Sequence, residues 1–441
     1  MRPHVVVIGG GFGGLSAARS LARVDVDVTL IDRRNHHLFQ PLLYQVATAA
    51  LTPSDIAYPI RAAVAKQFNV RVLLAEAKSI DVAARKVILD DGELDYDYVV
   101  IATGATHSYF GNDAWAAFAP GLKSIEDATE IRRRIFLAYE AAERESDPAK
   151  QRAWLTFAVV GGGPTGVELA GALGEIGLHT LAHDFRTIDP TRVHVLLLEG
   201  GDRVLNAYPP KISEAARVSL EKRRVEVRLN TLVSAIDETG VVAGGERIEA
   251  RTVLLAAGVQ ASPLGADLGV PRDKAGRVEV EPDLSVPGHP EVFVIGDLAR
   301  MINKDGSQVP GVAQGAIQGG RHVAKIIAGE PRTPFRYHDK GNMATIGRAS
   351  AVVATKRFSM SGSFAWMMWW VVHIFFLVGF RNRVLMMAHW GWSWLTFKRG
   401  SRLITGPVGK LPAVHSRREV DLGAAARDAD GVGARARDKA L

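Results

Sequence analysis

The sequence predicts an α/β protein with two dinucleotide-binding units, the second inserted into the first, followed by a helical segment suited to a membrane surface. Three observations carry that expectation. A strand, glycine turn, helix and second strand open the chain over "HVVVIGGGFGGLSAARSLARVDVDVTLID"; the same succession returns over residues 157–199; and from Asp339 to Glu419 the chain is aromatic and basic, with no acidic residue between them.

In the first unit, "HVVVI" is a continuous apolar, β-branched run, "GFGGLSAARSLAR" has helical spacing, and "DVTLID" reads as the second strand. Gly9, Gly11 and Gly14 form a GxGxxG turn, and Asp32 closes the second strand. In this Rossmann-like arrangement the glycines let the backbone approach a pyrophosphate at a helix N-terminus, and the carboxylate takes a ribose 2′-OH. A glycine turn alone often serves packing. Strand, spacing and acid together point to a nucleotide.

The second unit reads "FAVVGGGPTGVELAGALGEI" and then, after an extra helical segment, "RVHVLLLEG". Gly161, Gly163 and Gly166 repeat the turn, and Glu199 ends the strand. An acid here repels a 2′-phosphate and favours NADH over NADPH, with nearby Arg203 pulling the other way. The plainer alternative makes Glu199 a surface carboxylate.

Between and after these units, "YDYVVIATGA" is a buried strand ending in a tight turn at Thr103 and Gly104. "TVLLAAGV" is its counterpart, and "PEVFVIGDLA" runs straight into Gly296 and Asp297. The expected division is residues 1–110 and 271–330 as one interrupted domain, 111–270 as the second, 331–410 as the membrane-facing region, and 411–441 as a solvated tail of small and charged residues.

A chain of 441 residues suits two or three domains. Its net charge of +7 suggests an anionic partner, and the position of that charge chooses between nucleic acid and lipid. Twelve lysines and arginines and six of the eight tryptophans lie in the acid-free region. Basic residues beside long apolar runs favour an anionic lipid surface over nucleic acid. With no cysteine, disulfides, thiolate metal sites, iron–sulfur clusters and dithiol relays are excluded, and no metal site is expected. The first strand begins by Val5, so the chain is expected to stay in the cytoplasm.

"FAWMMWWVVHIFFLVGF", residues 364–380, is short for a crossing helix and carries His373 in its middle. At helical spacing Trp366, Trp369, Trp370 and His373 share one face, and Met387, Trp390, Trp394 and Phe397 a second stripe. Tryptophans at headgroup depth beside basic residues fit a peripheral or monotopic protein lying in one leaflet. The alternatives are a homodimer interface or a buried core helix.

Two dinucleotide folds with "VVIATGA" and "VFVIGDLA" resemble the two-domain FAD and NAD(P)H-dependent reductases. That resemblance covers residues 1–330 and implies FAD in the first fold, NAD(P)H in the second, and Asp297 at the flavin's ribityl chain; read alone, Asp297 is equally a helix N-cap. "VAQGAIQGG" holds Gln314, Gln318 and Gly320 in an AQxAxQxG pattern. With "LFQPLLYQVATAAL" and the aromatic C-terminal segment, it resembles the type II NADH:quinone oxidoreductases, single-subunit respiratory dehydrogenases that pump no protons. This implies that Gln314 and Gln318 are quinone-site residues and that Glu168, in "GPTGVELAG", lies near the flavin. Read alone, Glu168 is a carboxylate in a first helical turn, where the helix dipole stabilises it. Gln40, Tyr44 and Gln45 either line a site or satisfy buried backbone groups. The rival functions are a soluble flavin reductase feeding a carrier protein or oxygen, and a membrane flavoprotein that senses NADH without turnover.

Overall fold

The computed structural model describes residues 2–378 and, beyond them, 383–384, 386–388, 390–391, 399–409 and 411–412. The first sheet has six strands in the order Ser285–Val286, His289–Val294, Tyr98–Ile101, His4–Ile8, Asp27–Asp32 and Val70–Leu74. All pair in parallel except the edge strand Ser285–Val286. Parallel strands covered on both faces need unbroken apolar runs, and Val5, Val6, Val7, Val99, Val100, Val292, Phe293 and Val294 are fully buried. The late strand His289–Val294 thus lies beside Tyr98–Ile101, across a long intervening stretch of chain.

That stretch contains a second parallel sheet, ordered Val225–Arg228, His194–Leu198, Thr156–Val160 and Thr252–Leu255. Each sheet is accompanied by a three-stranded antiparallel meander, over residues 77–95 in the first case and 233–249 in the second.

Small residues set how closely the helices approach. The helix Phe12–Ser20 crosses Ala313–Ile327, and a Cβ on Gly320 would stand 2.4 Å from the Gly13 carbonyl oxygen. The helix Pro164–Glu175 lies on strand Asn342–Gly347, where a Cβ on Gly171 would meet the Ile346 oxygen at 2.3 Å.

Strands Asn342–Gly347, Ser350–Ala354 and Ser359–Gly362 form an antiparallel sheet that carries the helix Ser363–Phe376. At 1.5 Å per residue its 14 residues reach only about 21 Å, and among the described residues no helix is long and apolar enough to cross a membrane. The tryptophan face differs from its expectation. Trp369 and Trp390 are buried and lie 5.4 Å apart, facing the protein, because indole is the largest apolar group available to cover the small sheet. The outward face instead exposes Phe364, Met367, Val371 and Phe375, spaced as one side of a helix. Trp392, Trp394, Phe397 and the tail beyond residue 412 lie outside the described residues.

Candidate functional site

The two glycine turns fold alike. Gly9 and Gly161 take φ of +101° and +107°, and a Cβ on Gly14 or Gly166 would fall 1.9 or 1.8 Å from the carbonyl oxygen of Gly9 or Gly161. The first glycine makes the turn, the third lets the helix close on it, and the second, Gly11 or Gly163, faces open space. Each acid is pinned in the same way. Asp32 accepts from the backbone N–H of Gly10 at 2.6 Å and Arg34 at 2.7 Å, and Glu199 accepts from Gly162 and Gly201.

A cavity of about 1560 Å³ runs along the first turn, larger than a pocket for one small ligand. Gly9, Gly11, Asp32, Thr103, Gly104 and Asp297 line it, whereas Gly14 is packed away. Gly161, Gly163, Gly166 and Glu199 are not on its wall; Pro164, Thr165 and Glu168 bring the start of the second unit's helix there.

The lining fits FAD. Gly11 leaves room for a pyrophosphate at a helix start, and the Thr103 hydroxyl is buried with no partner among the described residues. Asp297 caps no helix; burial pushes its carboxyl up, opposed by Lys123 and Arg277. Gly163 offers the same open space to a second dinucleotide.

Glu168 lies past the first turn of its helix, so the dipole does not account for it. Burial raises its carboxyl to about 8, against one backbone N–H, that of Thr345, 3.3 Å from Oε1. The Thr345 hydroxyl shares a 2.7 Å hydrogen bond with Tyr44, whose oxygen accepts from Gln45; Gln45 Oε1 accepts from the indole N–H of Trp390 at 2.8 Å. Tyr44 and Gln45 are therefore satisfied buried groups that tie the aromatic region to the strand holding Glu168, while Gln40 lines the cavity.

Gln314 and Gln318 are not brought to the cavity. Gln314 donates to the Gly341 carbonyl and accepts from Lys340 N–H, and Gln318 donates to and accepts from the backbone of His338. The helix turns both amides toward segment 338–341 and presents Ala313 and Ala316 to the cavity. Sequence reasoning missed Met343 and His373, which close the cavity wall. The position of His373 in an apolar run was the available signal.

Residues 3–320 match the pyridine nucleotide-disulphide oxidoreductase family. Two curated proteins of Mycobacterium tuberculosis, the type II NADH:quinone oxidoreductases Ndh and NdhA, are 46% and 49% identical to the chain, each alignment covering 92% of it and 90% of the relative. The chain belongs to the type II NADH:quinone oxidoreductases. Among solved structures, NDH2 of Plasmodium falciparum in complex with NADH superposes with a TM-score of 0.83 at 19% identity, covering 92% of this chain and all of that one. The sulfide:quinone oxidoreductase of Aquifex aeolicus reaches 0.66 at 21% identity, over 86% and 92% of the two chains. As a cysteine-free type II oxidoreductase, the chain has no disulphide of the kind in the wider family's name.

Proposed function

We propose that the chain oxidises NADH and passes two electrons by way of FAD to a membrane quinone, without pumping protons, from the cytoplasmic face of the membrane. The observation that carries this reading is one cavity onto which the first glycine turn, Asp297, Glu168 and the C-terminal helix at His373 all open. When bound, FAD would supply the redox chemistry that links NADH oxidation to quinone reduction.

On this reading residues 1–110 and 271–330 hold FAD. Gly9 and Gly11 cradle its pyrophosphate, Gly14 closes the helix on the turn, and Asp32 takes a ribose. Thr103, Gly104 and Asp297 line the flavin end. Residues 111–270 hold NADH through Gly161, Gly163, Gly166 and Glu199. Glu168, kept protonated by burial, holds a proton beside the quinone oxygen that needs it. Gln314 and Gln318 act as positioning residues through segment 338–341.

Residues 331–410 dock on lipid through Phe364, Met367, Val371 and Phe375. Each large apolar side chain fully withdrawn from water contributes about 1.5–3 kcal/mol. Exposed Lys340 lies over the Phe376 ring and Arg383 over Phe375, so charges for anionic headgroups sit beside the apolar face.

The test is membrane fractionation followed by NADH oxidation with a water-soluble short-chain quinone. A yellow, membrane-bound, quinone-active protein is expected. A soluble protein inactive with quinones, or one without flavin, overturns the reading.

A further inference from the structure

We propose that His373 contacts the quinone head and presents to it a hydrogen-bond acceptor, so that the residue favours the hydroxyl of the reduced product over the carbonyl of the oxidised substrate. The inference rests on the reading of this cavity as the quinone site.

The geometry fixes the tautomer. His373 Nδ1 lies 2.7 Å from the main-chain oxygen of Trp369, one helical turn earlier. A carbonyl oxygen only accepts, so Nδ1 carries the proton. Nε2 then holds a lone pair, and it has no partner among the described residues although the side chain lines the cavity. The ring cannot easily turn over: it stacks on Trp369 with centroids 4.2 Å apart and meets Phe39 edge-on at 6.2 Å. Burial lowers its pKa to about 4, which keeps it neutral at physiological pH.

Strand Asn342–Gly347 stands between the helices carrying Glu168 and His373 and packs on both. It contributes Met343 to the cavity wall and the Thr345 N–H to Glu168. The cavity wall thus includes a donor, the protonated Glu168, and an acceptor, His373 Nε2, on the two helices that this strand packs against. A lone pair facing a quinone carbonyl repels it, whereas the same lone pair accepts from a hydroquinone O–H. An interaction that strengthens as the oxygen gains its hydrogen lowers the barrier rather than merely tightening substrate binding.

The experiment uses the full-chain flavoprotein in detergent, without oxygen, with a short-chain quinone and its hydroquinone. His373→Phe keeps ring stacking on Trp369 and loses the acceptor. Product inhibition by the hydroquinone should weaken about five- to tenfold, the worth of one net hydrogen bond. The KM for quinone should change less, and flavin reduction by NADH in single turnover should stay within about twofold of the unsubstituted protein by the same reasoning. His373→Gln, which can offer an amide oxygen, should recover part of the inhibition. In ¹⁵N-histidine-labelled protein the unprotonated Nε2 resonance should shift on adding hydroquinone but not its dimethyl ether, which has no O–H. That spectrum decides the matter if the Phe variant fails to fold. Unchanged product inhibition, an unmoved Nε2 resonance, or equal loss in both half-reactions overturns the His373 assignment while the quinone reading stands. No quinone turnover by the unsubstituted protein overturns both.

Discussion

Replacing Glu168 by Gln keeps the shape and the donor of a protonated carboxyl but removes its titration. The folded carboxyl sits at about 8 against an ordinary value of 4.5. Below the ordinary value both folded and unfolded chains carry the proton, and the acid costs nothing. As pH rises, the unfolded chain releases a proton that the folded chain keeps, so stability falls until pH passes the folded value. At about 1.4 kcal/mol per pKa unit the full penalty is at most about 5 kcal/mol, and about 3 kcal/mol of it develops between about pH 5.5 and about pH 8. Glu168→Gln should therefore gain stability over the parent protein across that window. For a chain of this length the gain is about 3 °C in melting temperature. Parallel melts of the two flavoproteins at each pH measure it. A difference that stays constant with pH, or shrinks as pH rises, refutes the burial argument for Glu168.

Quinone turnover by the parent should fall as pH rises through about 8, and Glu168→Gln should flatten that fall; steady-state rates with NADH saturating measure both. Glu199→Ala removes the carboxylate pinned by Gly162 and Gly201 and should erode NADH preference about tenfold or more; unchanged discrimination against NADPH takes Glu199 out of the site. Gln318→Ala strips both hydrogen bonds from His338, costs about 1–3 kcal/mol, and should slow quinone reduction more than flavin reduction in stopped-flow traces. Phe364→Glu with Phe375→Glu charges two outward aromatics and should cut sedimentation with anionic vesicles at least about tenfold while NADH reduction of the flavin persists.

The two glycine turns were legible because their requirements are local. A φ near +100° at Gly9 and Gly161, and a turn carbonyl oxygen within 2 Å of where a Cβ would stand at Gly14 and Gly166, can be met only by glycine. The terminal acids were legible for the same reason, being pinned by N–H groups of their own turn. What was not legible depended on partners far along the chain. Nothing near Gln314 and Gln318 signals that segment 338–341 will run past them and take both amides. The tryptophans had a compositional signal for an interface, but the choice of helix face fell to a sheet that needed covering and to Gln45, which holds Trp390 from 345 residues away.

The AQxAxQxG helix gains a mechanical meaning from this arrangement. Its small residues and its glutamines lie on different faces, at spacings of three and four, so one helix makes two contacts at once. Ala316 and Gly320 let it close on the first glycine turn and the Gly296 corner, fixing the wall beside Asp297. Gln314 and Gln318 grip segment 338–341, which leads directly into the strand that holds Met343 and Thr345. The flavin side and the proposed quinone side are thereby referenced to one rigid element. A substitution on the glutamine face should disturb the second side without unseating FAD, whereas a larger residue at Gly320 should disturb both, because a Cβ there meets the backbone of the helix that opens the flavin cradle.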